Sequence, residues 1–130
     1  MVKGSFRKSF GYALAGLAYA LRTQPNMRFH LLAALVVVVA ALWLRIEERD
    51  FLLVLLAITL VMMAEMFNTA LERVVDLCTG RYHPLAKIAK DVAAGAVLLA
   101  ALNSLIVGLV VFYPYLLVFI RLLQSLGGDD

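Results

Sequence analysis

The longest uncharged stretch of the chain is the feature that most limits how it can fold. It contains 29 residues, Val92 to Ile120, between Asp91 and Arg121. As a helix it would extend about 43 Å, which exceeds the roughly 30 Å hydrocarbon core of a bilayer. We therefore expect a membrane-spanning helix over about 85–113. Pro114 is expected to kink or end it, which leaves 114–130 as a C-terminal extension, with a short interfacial helix after the proline.

Two further apolar segments come before this one. Residues 29–44 contain no Lys, Arg, Asp or Glu, and they predict a short span over about 28–46 whose ends snorkel. Residues 51–71 contain a single charge, Glu65, and they predict a second span over about 51–76.

The composition favours lipid over water as the solvent. Hydrophobic residues make up 64% of the chain and charged residues 16%, so a soluble globule would expose large apolar patches. A single cysteine excludes an internal disulfide framework and a multi-cysteine metal site. The sequence predicts one all-α membrane domain over residues 1–130.

Residues 5–22 predict a different kind of helix. Their apolar residues recur at helical spacing and their basic residues fall elsewhere on the wheel, which is typical of an interfacial amphipathic helix. A signal peptide is the alternative, but the interrupted apolar core argues against it. The apolar stripe comprises Phe6, Phe10, Leu14, Leu17 and Leu21.

The distribution of basic residues predicts orientation. The first 46 residues contain six basic residues and no acidic one, and these charges flank apolar runs, which favours anionic lipid headgroups over nucleic acid as the partner. Lys and Arg number five before the first span, two in the next loop, four over 73–90 and one after the third span. We expect the N-terminus and the second loop to face the cytoplasm.

The second span ends in a polar stripe. Taking Glu65 as zero at 100° per residue, Asn68 lies at about −60°, Glu72 at about −20°, Asp76 at about +20° and Thr69 at about +40°. A carboxylate facing lipid is costly, so this face points to a protein interior, a water-filled cleft or the cytoplasmic interface. Glu65, the deepest acid, is a functional candidate, whereas Asp76 and Arg73 are interpreted, from the stripe alone, as solvated charges at a helix end.

The following loop places cations beside the stripe. Pro84 predicts the start of the third span, and Lys87, Lys90 and Asp91 then fall within about 40° of one another. Carboxylates and ammonium groups across one cleft suit a metal-bound polyphosphate. We interpret His83 as a helix cap or headgroup contact rather than a ligand. The sequence contains no P-loop motif.

These motifs closely resemble the bacterial diacylglycerol kinase family. The resemblance covers Gly11-Tyr12, Asn26-x-Arg28-x-His30, Glu65-x-x-Asn68-Thr69-Ala-Leu-Glu72-x-x-Val-Asp76 and Tyr82-His83-Pro84-Leu85-Ala86-Lys87-x-Ala89-Lys90-Asp91. It extends to about Tyr113. Two segments, Asn26–His30 and His83–Lys87, look more like the branch that phosphorylates undecaprenol than the branch that phosphorylates diacylglycerol.

The resemblance implies a homotrimer of three-span subunits with an N-terminal surface helix, in the bacterial inner membrane. It implies transfer of the γ-phosphoryl group of MgATP to a lipid hydroxyl at the cytoplasmic interface. By matching motif positions, Glu65 would be the general base and Asn68 would place the lipid hydroxyl or the phosphate.

The resemblance also implies the residues that hold the nucleotide and the metal. Lys90, Asp91, Asp76 and Tyr12 would bind ATP, and Glu72 would bind Mg²⁺. Many relatives carry a second metal-binding carboxylate where this chain has Gln24. An amide oxygen still coordinates Mg²⁺, but it lacks the negative charge, so either Gln24 is sufficient with the ATP phosphates or the metal site is altered.

Two other functions remain open at this point. A small oligomeric transporter or proton-coupled channel would use Glu65 as its carrier acid. A structural subunit that has lost its catalytic activity would account for the amide of Gln24 in place of a carboxylate. A carrier acid is expected near the bilayer midplane. The position of Glu65 toward the cytoplasmic end, beside other charged residues, favours the kinase.

Overall fold

The computed structural model describes residues 6–126, and over this range the chain forms four α-helices: α1 (Phe6–Thr23), α2 (Pro25–Leu44), α3 (Glu48–Cys78) and α4 (Pro84–Leu126). The last three are long and apolar enough to cross a membrane. This confirms the all-α class and the presence of three candidate membrane spans. The amphipathic segment predicted over 5–22 coincides with α1, apart from residue 5, which lies outside the described residues.

Prolines set two of the helix starts. Pro25 and Pro84 are the first residues of α2 and α4, where the fixed φ of proline suits a helix and its missing N–H costs nothing. Gln24, just before α2, is extended. At the other end of α2, Arg45 adopts a left-handed conformation (φ 51°), and its backbone N–H bonds to the Leu42 carbonyl at 3.3 Å. This conformation ends the helix and turns the chain toward α3.

The last helix does not end at Pro114. It continues for 43 residues from Pro84 to Leu126, which corresponds to about 64 Å. Proline is tolerated within membrane helices because neighbouring groups satisfy the backbone carbonyl that it leaves without a donor. The short separate interfacial helix expected after the proline is instead the last part of α4.

α3 is the central helix and contacts the other three helices. The buried apolar residues are mainly small, including Ala20, Ala41, Ala57 and Ala100, so the helices approach closely. By contrast, many large apolar side chains of α2, α3 and α4 are exposed. This is the pattern expected of helices whose outer surface meets lipid or another apolar protein surface.

The part of α4 after Pro114 packs against the turn between α2 and α3. The Tyr115 hydroxyl accepts a hydrogen bond from the Glu47 backbone N–H and donates one to Asp50 Oδ2, both at 2.9 Å. The Trp43 and Phe119 rings meet edge to face, with centroids 5.5 Å apart. The opposite end of α3 finishes at the exposed Cys78. The start of α3 is therefore packed against the last part of α4, whereas the last residue of α3 is exposed.

Candidate active site

The polar stripe predicted on α3 faces the protein interior at its deeper end. Glu65 is 1% exposed, Thr69 5% and Asn68 8%. Residues three and four positions apart share a helix face, and this face of α3 is the one that packs against the other helices. Burial of a carboxylate and an amide is costly unless they bond to other groups, so this cluster is a candidate functional site.

Two hydrogen bonds hold the stripe together. Thr69 Oγ1 donates to the Glu65 backbone carbonyl at 2.9 Å, and Asn68 Nδ2 donates to Glu72 Oε1 at 3.4 Å. Within residues 6–126, Glu65 Oε2 and Asn68 Oδ1 are buried and receive no hydrogen bond. Buried acceptors without donors are rare in native proteins. The two oxygens are therefore available to a ligand.

His30 lies near the level of Glu65, a placement that sequence reasoning missed. It is half-buried on α2, and it lines the same cavity as Val61, which is one helical turn before Glu65 on α3. The sequence contained only one indication of this proximity, the position of His30 in the Asn26-x-Arg28-x-His30 motif. Helical periodicity relates residues of one helix, and it does not reveal which residue of α2 faces Glu65.

A second polar cluster lies where α3 ends and α4 begins. Lys90 Nζ donates to Asp76 Oδ1 at 2.7 Å, and an Arg73 guanidinium nitrogen lies 3.8 Å from Asp76 Oδ2. Lys87 Nζ bonds to Asp91 Oδ2 along α4. All of these groups except Arg73 line an open cleft of about 360 Å³, which we call the Lys90 cleft. Its polar lining comprises Asp76, Thr79, Arg81, Tyr82, His83, Lys87, Lys90 and Asp91.

The loop next to this cleft is shaped by His83. Its Nδ1 atom accepts a hydrogen bond from the Leu85 backbone N–H at 3.2 Å, and its carbonyl accepts one from Lys87 N–H at 3.1 Å. This confirms the interpretation of His83 as a helix cap. The cap satisfies one of the free N–H groups in the first turn of α4.

Comparison with known proteins decides which class of protein carries these two clusters. Residues 11–112 match the prokaryotic diacylglycerol kinase family. The chain belongs to this family. The family and its named relatives are lipid kinases, and the match includes all of the α3 stripe and the Lys90 cleft. The part of α4 after Pro114 lies beyond it.

Three relatives illustrate the range of this lipid kinase family. A diacylglycerol kinase of Synechocystis sp. is 52% identical over 110 residues, which are 84% of this chain and 63% of the relative. An undecaprenol kinase of Bacillus subtilis is 41% identical over 111 residues, 85% of this chain and 90% of the relative. A diacylglycerol kinase of Escherichia coli is 33% identical over 108 residues, 83% of this chain and 88% of the relative. The relatives thus differ in the lipid that their names specify.

In this member of the family, the structure brings most of the predicted site residues into two groups. Glu65, Asn68 and Glu72 form the first group, and Asp76, Lys90 and Asp91 line the cleft. The remaining two predicted residues, Tyr12 and Gln24, lie apart from these groups.

Tyr12 and Gln24 belong to the α1 side of the molecule. Tyr12 is 74% exposed on α1. Gln24 is half-buried between α1 and α2, and its backbone N–H bonds to the Ala20 carbonyl at 2.9 Å. Among residues 6–126, neither side chain forms a hydrogen bond to the stripe or the cleft. A contact between the Arg73 guanidinium and the Tyr19 ring, 5.8 Å from its centroid, links α1 to α3 near Glu72.

The oxygen atoms of the stripe suit Mg²⁺. This ion takes oxygen ligands, and in phosphate-transferring enzymes one or two carboxylates hold it together with substrate phosphates. Glu72 supplies a carboxylate, and Asn68 Oδ1 is a buried oxygen without a donor. Within the described residues no group of three or more His, Cys, Asp or Glu side chains forms a complete metal site. The donor set therefore fits a metal whose shell the phosphates complete.

Proposed function

We propose that this protein transfers the γ-phosphoryl group of MgATP to the hydroxyl of a membrane lipid. Undecaprenol is the acceptor we expect first, because Asn26-x-Arg28-x-His30 resembles that branch of the family, and diacylglycerol is the other candidate. The observation that carries the proposal is the buried Oε2 atom of Glu65, which has no hydrogen-bond donor among residues 6–126. A lipid hydroxyl is a donor that satisfies this atom.

Glu65 is the general base of the proposed reaction. The lipid oxygen attacks the γ-phosphorus while its proton passes to Glu65 Oε2. The new P–O bond forms as the bond to the β–γ bridging oxygen breaks, and the electron pair leaves with ADP. Because Glu65 is 1% exposed, bulk water is excluded from it, and this favours a lipid hydroxyl over water as the attacking group.

Asn68 and Glu72 are proposed to hold Mg²⁺ and the phosphates beside Glu65. Asn68 donates to Glu72 at 3.4 Å through its Nδ2 atom, so its Oδ1 atom remains available to the metal or to the lipid hydroxyl. Gln24 would supply a neutral oxygen where many relatives supply a carboxylate. When bound, Mg²⁺ neutralises charge on the transferring phosphoryl group.

The Lys90 cleft is the proposed nucleotide site. Lys90, Lys87 and Arg81 line it, and their positive charges suit the ATP phosphates. Asp76 and Asp91 hold the two lysines in place through the hydrogen bonds described above. Tyr12, whose ring is exposed on α1, is proposed as a further nucleotide contact.

The proposed assembly is a homotrimer with α1 on the membrane surface. Phe6, Phe10, Leu14 and Leu17 form an exposed apolar stripe on α1, which suits burial among lipid headgroups. Asn103 is exposed near the middle of α4. A polar side chain at that depth is costly against lipid and commonly bonds to a neighbouring helix, so its exposure supports contact with another subunit.

The proposed location is the bacterial inner membrane, with the N-terminus and the active site on the cytoplasmic side. The excess of Lys and Arg before α2 and over 73–90 supports this orientation. It also places the Lys90 cleft where ATP is available. A transporter that uses Glu65 as its carrier is not favoured, because the family and the relatives are named kinases.

The decisive experiment is transfer of ³²P from Mg·[γ-³²P]ATP by the purified protein in mixed micelles. Undecaprenol and diacylglycerol are offered separately, and Glu65→Gln serves as the blank. Label in one lipid alone identifies the acceptor. If neither lipid is labelled by a folded, oligomeric protein, the proposed function is wrong.

A further inference from the structure

Arg73 connects α1 to the Lys90 cleft, although it does not itself line the cleft. Its guanidinium carbon lies 5.8 Å from the centroid of the Tyr19 ring on α1, which is within the range of a cation–π contact. One of its guanidinium nitrogens lies 3.8 Å from Asp76 Oδ2. The Arg73 side chain therefore lies between an aromatic ring of α1 and a carboxylate of the cleft.

The two carboxylate oxygens of Asp76 are divided between two cations. Oδ1 accepts the hydrogen bond from Lys90 Nζ at 2.7 Å, and Oδ2 is the oxygen nearer to Arg73. Lys90 and Asp76 alone would form a neutral pair. Together with Arg73 they form a group of two cations and one carboxylate, which carries one net positive charge.

The charges of the cleft are nearly balanced without Arg73. The lining contains two carboxylates and three cationic side chains, namely Asp76, Asp91, Arg81, Lys87 and Lys90. With His83 neutral, the lining has one net positive charge, and Arg73 at its edge raises this to two. ATP phosphates carry several negative charges, so the additional cation strengthens their attraction to the cleft.

We propose that Arg73 is a positioning residue for the nucleotide: it holds the Asp76 carboxylate, leaves the charge of Lys90 available to the ATP phosphates, and is itself held by the Tyr19 ring. This inference rests on the nucleotide site of the proposed function. It adds two residues, on α1 and α3, that act through Asp76 and Lys90 rather than by contact with ATP.

The Tyr19 ring supplies what the ion pair lacks. The side chains of Arg73 and Asp76 are 49% and 48% exposed, and an exposed ion pair alone holds two side chains only weakly. A guanidinium that also lies over an aromatic face loses fewer hydrogen bonds to water and has fewer rotamers open to it. Displacement of α1 from α3 releases Arg73, so the position of α1 is coupled to nucleotide binding.

The first test removes the charge of Arg73. In Arg73→Met the KM for MgATP is expected to rise about fivefold, while kcat and the KM for lipid stay close to wild type. The ratio of variant to wild-type KM should fall below about two when KCl is raised from about 50 mM to about 500 mM, because salt screens the charge. Arg7→Met removes the same charge from an exposed position on α1, about 18 Å along the helix from Tyr19, and is the control. A wild-type KM in Arg73→Met, or a rise that salt does not reduce, contradicts the inference.

The second test leaves every charge in place. Tyr19→Leu removes the ring that holds Arg73, and the KM for MgATP is expected to rise about threefold, whereas Tyr19→Phe keeps the aromatic face and recovers most of the loss. In the double variant Tyr19→Leu/Arg73→Met the KM should equal that of Arg73→Met alone, because the ring acts through Arg73. Additive effects of the two substitutions, or failure of phenylalanine to recover the KM, exclude this coupling.

Calorimetric titration with Mg·AMP-PNP, whose β–γ bridge is not cleaved, separates the two proposals. The dissociation constant should rise in Arg73→Met and Tyr19→Leu by the same factors as the KM. If the wild type phosphorylates lipid and both variants bind Mg·AMP-PNP as tightly as it does, the inference is wrong and the proposed function stands. If the wild type binds Mg·AMP-PNP but phosphorylates no lipid, the proposed function is wrong and the variants' dissociation constants still decide the inference. If the wild type binds no nucleotide, both fail. Size-exclusion and circular dichroism profiles that match the wild type establish that each variant is folded.

Discussion

Tyr115 and Asp50 join the last part of α4 to the start of α3, since the Tyr115 hydroxyl donates a hydrogen bond to Asp50 Oδ2 at 2.9 Å. The same hydroxyl accepts a bond from the Glu47 backbone N–H. One side chain thus satisfies groups on the turn between two helices. This arrangement gives the residues after Pro114, which lie beyond the family match, a structural role at the end of the bundle opposite the Lys90 cleft.

We expect Tyr115→Phe to lower the unfolding temperature by a few degrees without changing activity, because it removes both hydrogen bonds and keeps the ring. Thermal unfolding in detergent micelles measures the first effect, and the micelle kinase assay the second. Tyr113→Phe, at an exposed position on the same helix, is the control. Equal melting of the two variants contradicts the role of the hydroxyl.

Glu65→Gln should reduce turnover by about 10²–10⁴-fold, because it removes the base and preserves the volume. The oligomeric state should not change. Glu48→Gln makes the same chemical change at an exposed position near the start of α3, and it should leave turnover intact. Wild-type turnover in Glu65→Gln would exclude Glu65 as the base.

The metal site is tested by two opposite substitutions. Glu72→Ala should abolish activity or raise the Mg²⁺ concentration needed for half-maximal rate, because it removes the carboxylate of the proposed site. Gln24→Glu should lower that concentration, because it adds a negatively charged carboxylate to the proposed metal site. Titration of activity with MgCl₂ at saturating ATP measures both. An unchanged Mg²⁺ requirement in both variants overturns this site.

Lys90→Met should raise the KM for MgATP about tenfold or more, because a charged hydrogen-bond donor to phosphate is lost. The KM for lipid should stay the same. Lys8→Met, on the exposed surface of α1, controls for the change in net charge. If the two lysine variants have the same KM for MgATP, the cleft is not the nucleotide site.

Local features of the sequence predicted the fold well. Long uncharged runs identify the three spans, because lipid tolerates few charges, and Pro25 and Pro84 identify two helix starts, because proline suits the first turn. Pro114 was expected to kink or end its helix, and the helix does not end there. That expectation came from the behaviour of proline in water-soluble helices, whereas packing around a membrane helix allows α4 to continue.

The site was predictable where its residues share one helix. Asn68 and Glu72, four positions apart, form the hydrogen bond that helical spacing leads one to expect. Contacts between helices were harder to anticipate. The meeting of acids and lysines across a cleft followed from the helix start at Pro84 and from helical spacing. The pairing of Lys90 with Asp76, the position of His30 near the level of Glu65 and the Tyr115–Asp50 bond depend on how the helices pack.

Cys78 allows the orientation of the bundle across the membrane to be measured in intact cells. It is the only cysteine of the chain, it is exposed at the end of α3, and it lies two residues after Asp76 of the Lys90 cleft. A membrane-impermeant maleimide therefore reports which compartment the cleft faces, without any engineered thiol. Cys78→Ser combined with Ser125→Cys moves the label to the other end of the bundle, so the two proteins should react from opposite sides of the membrane.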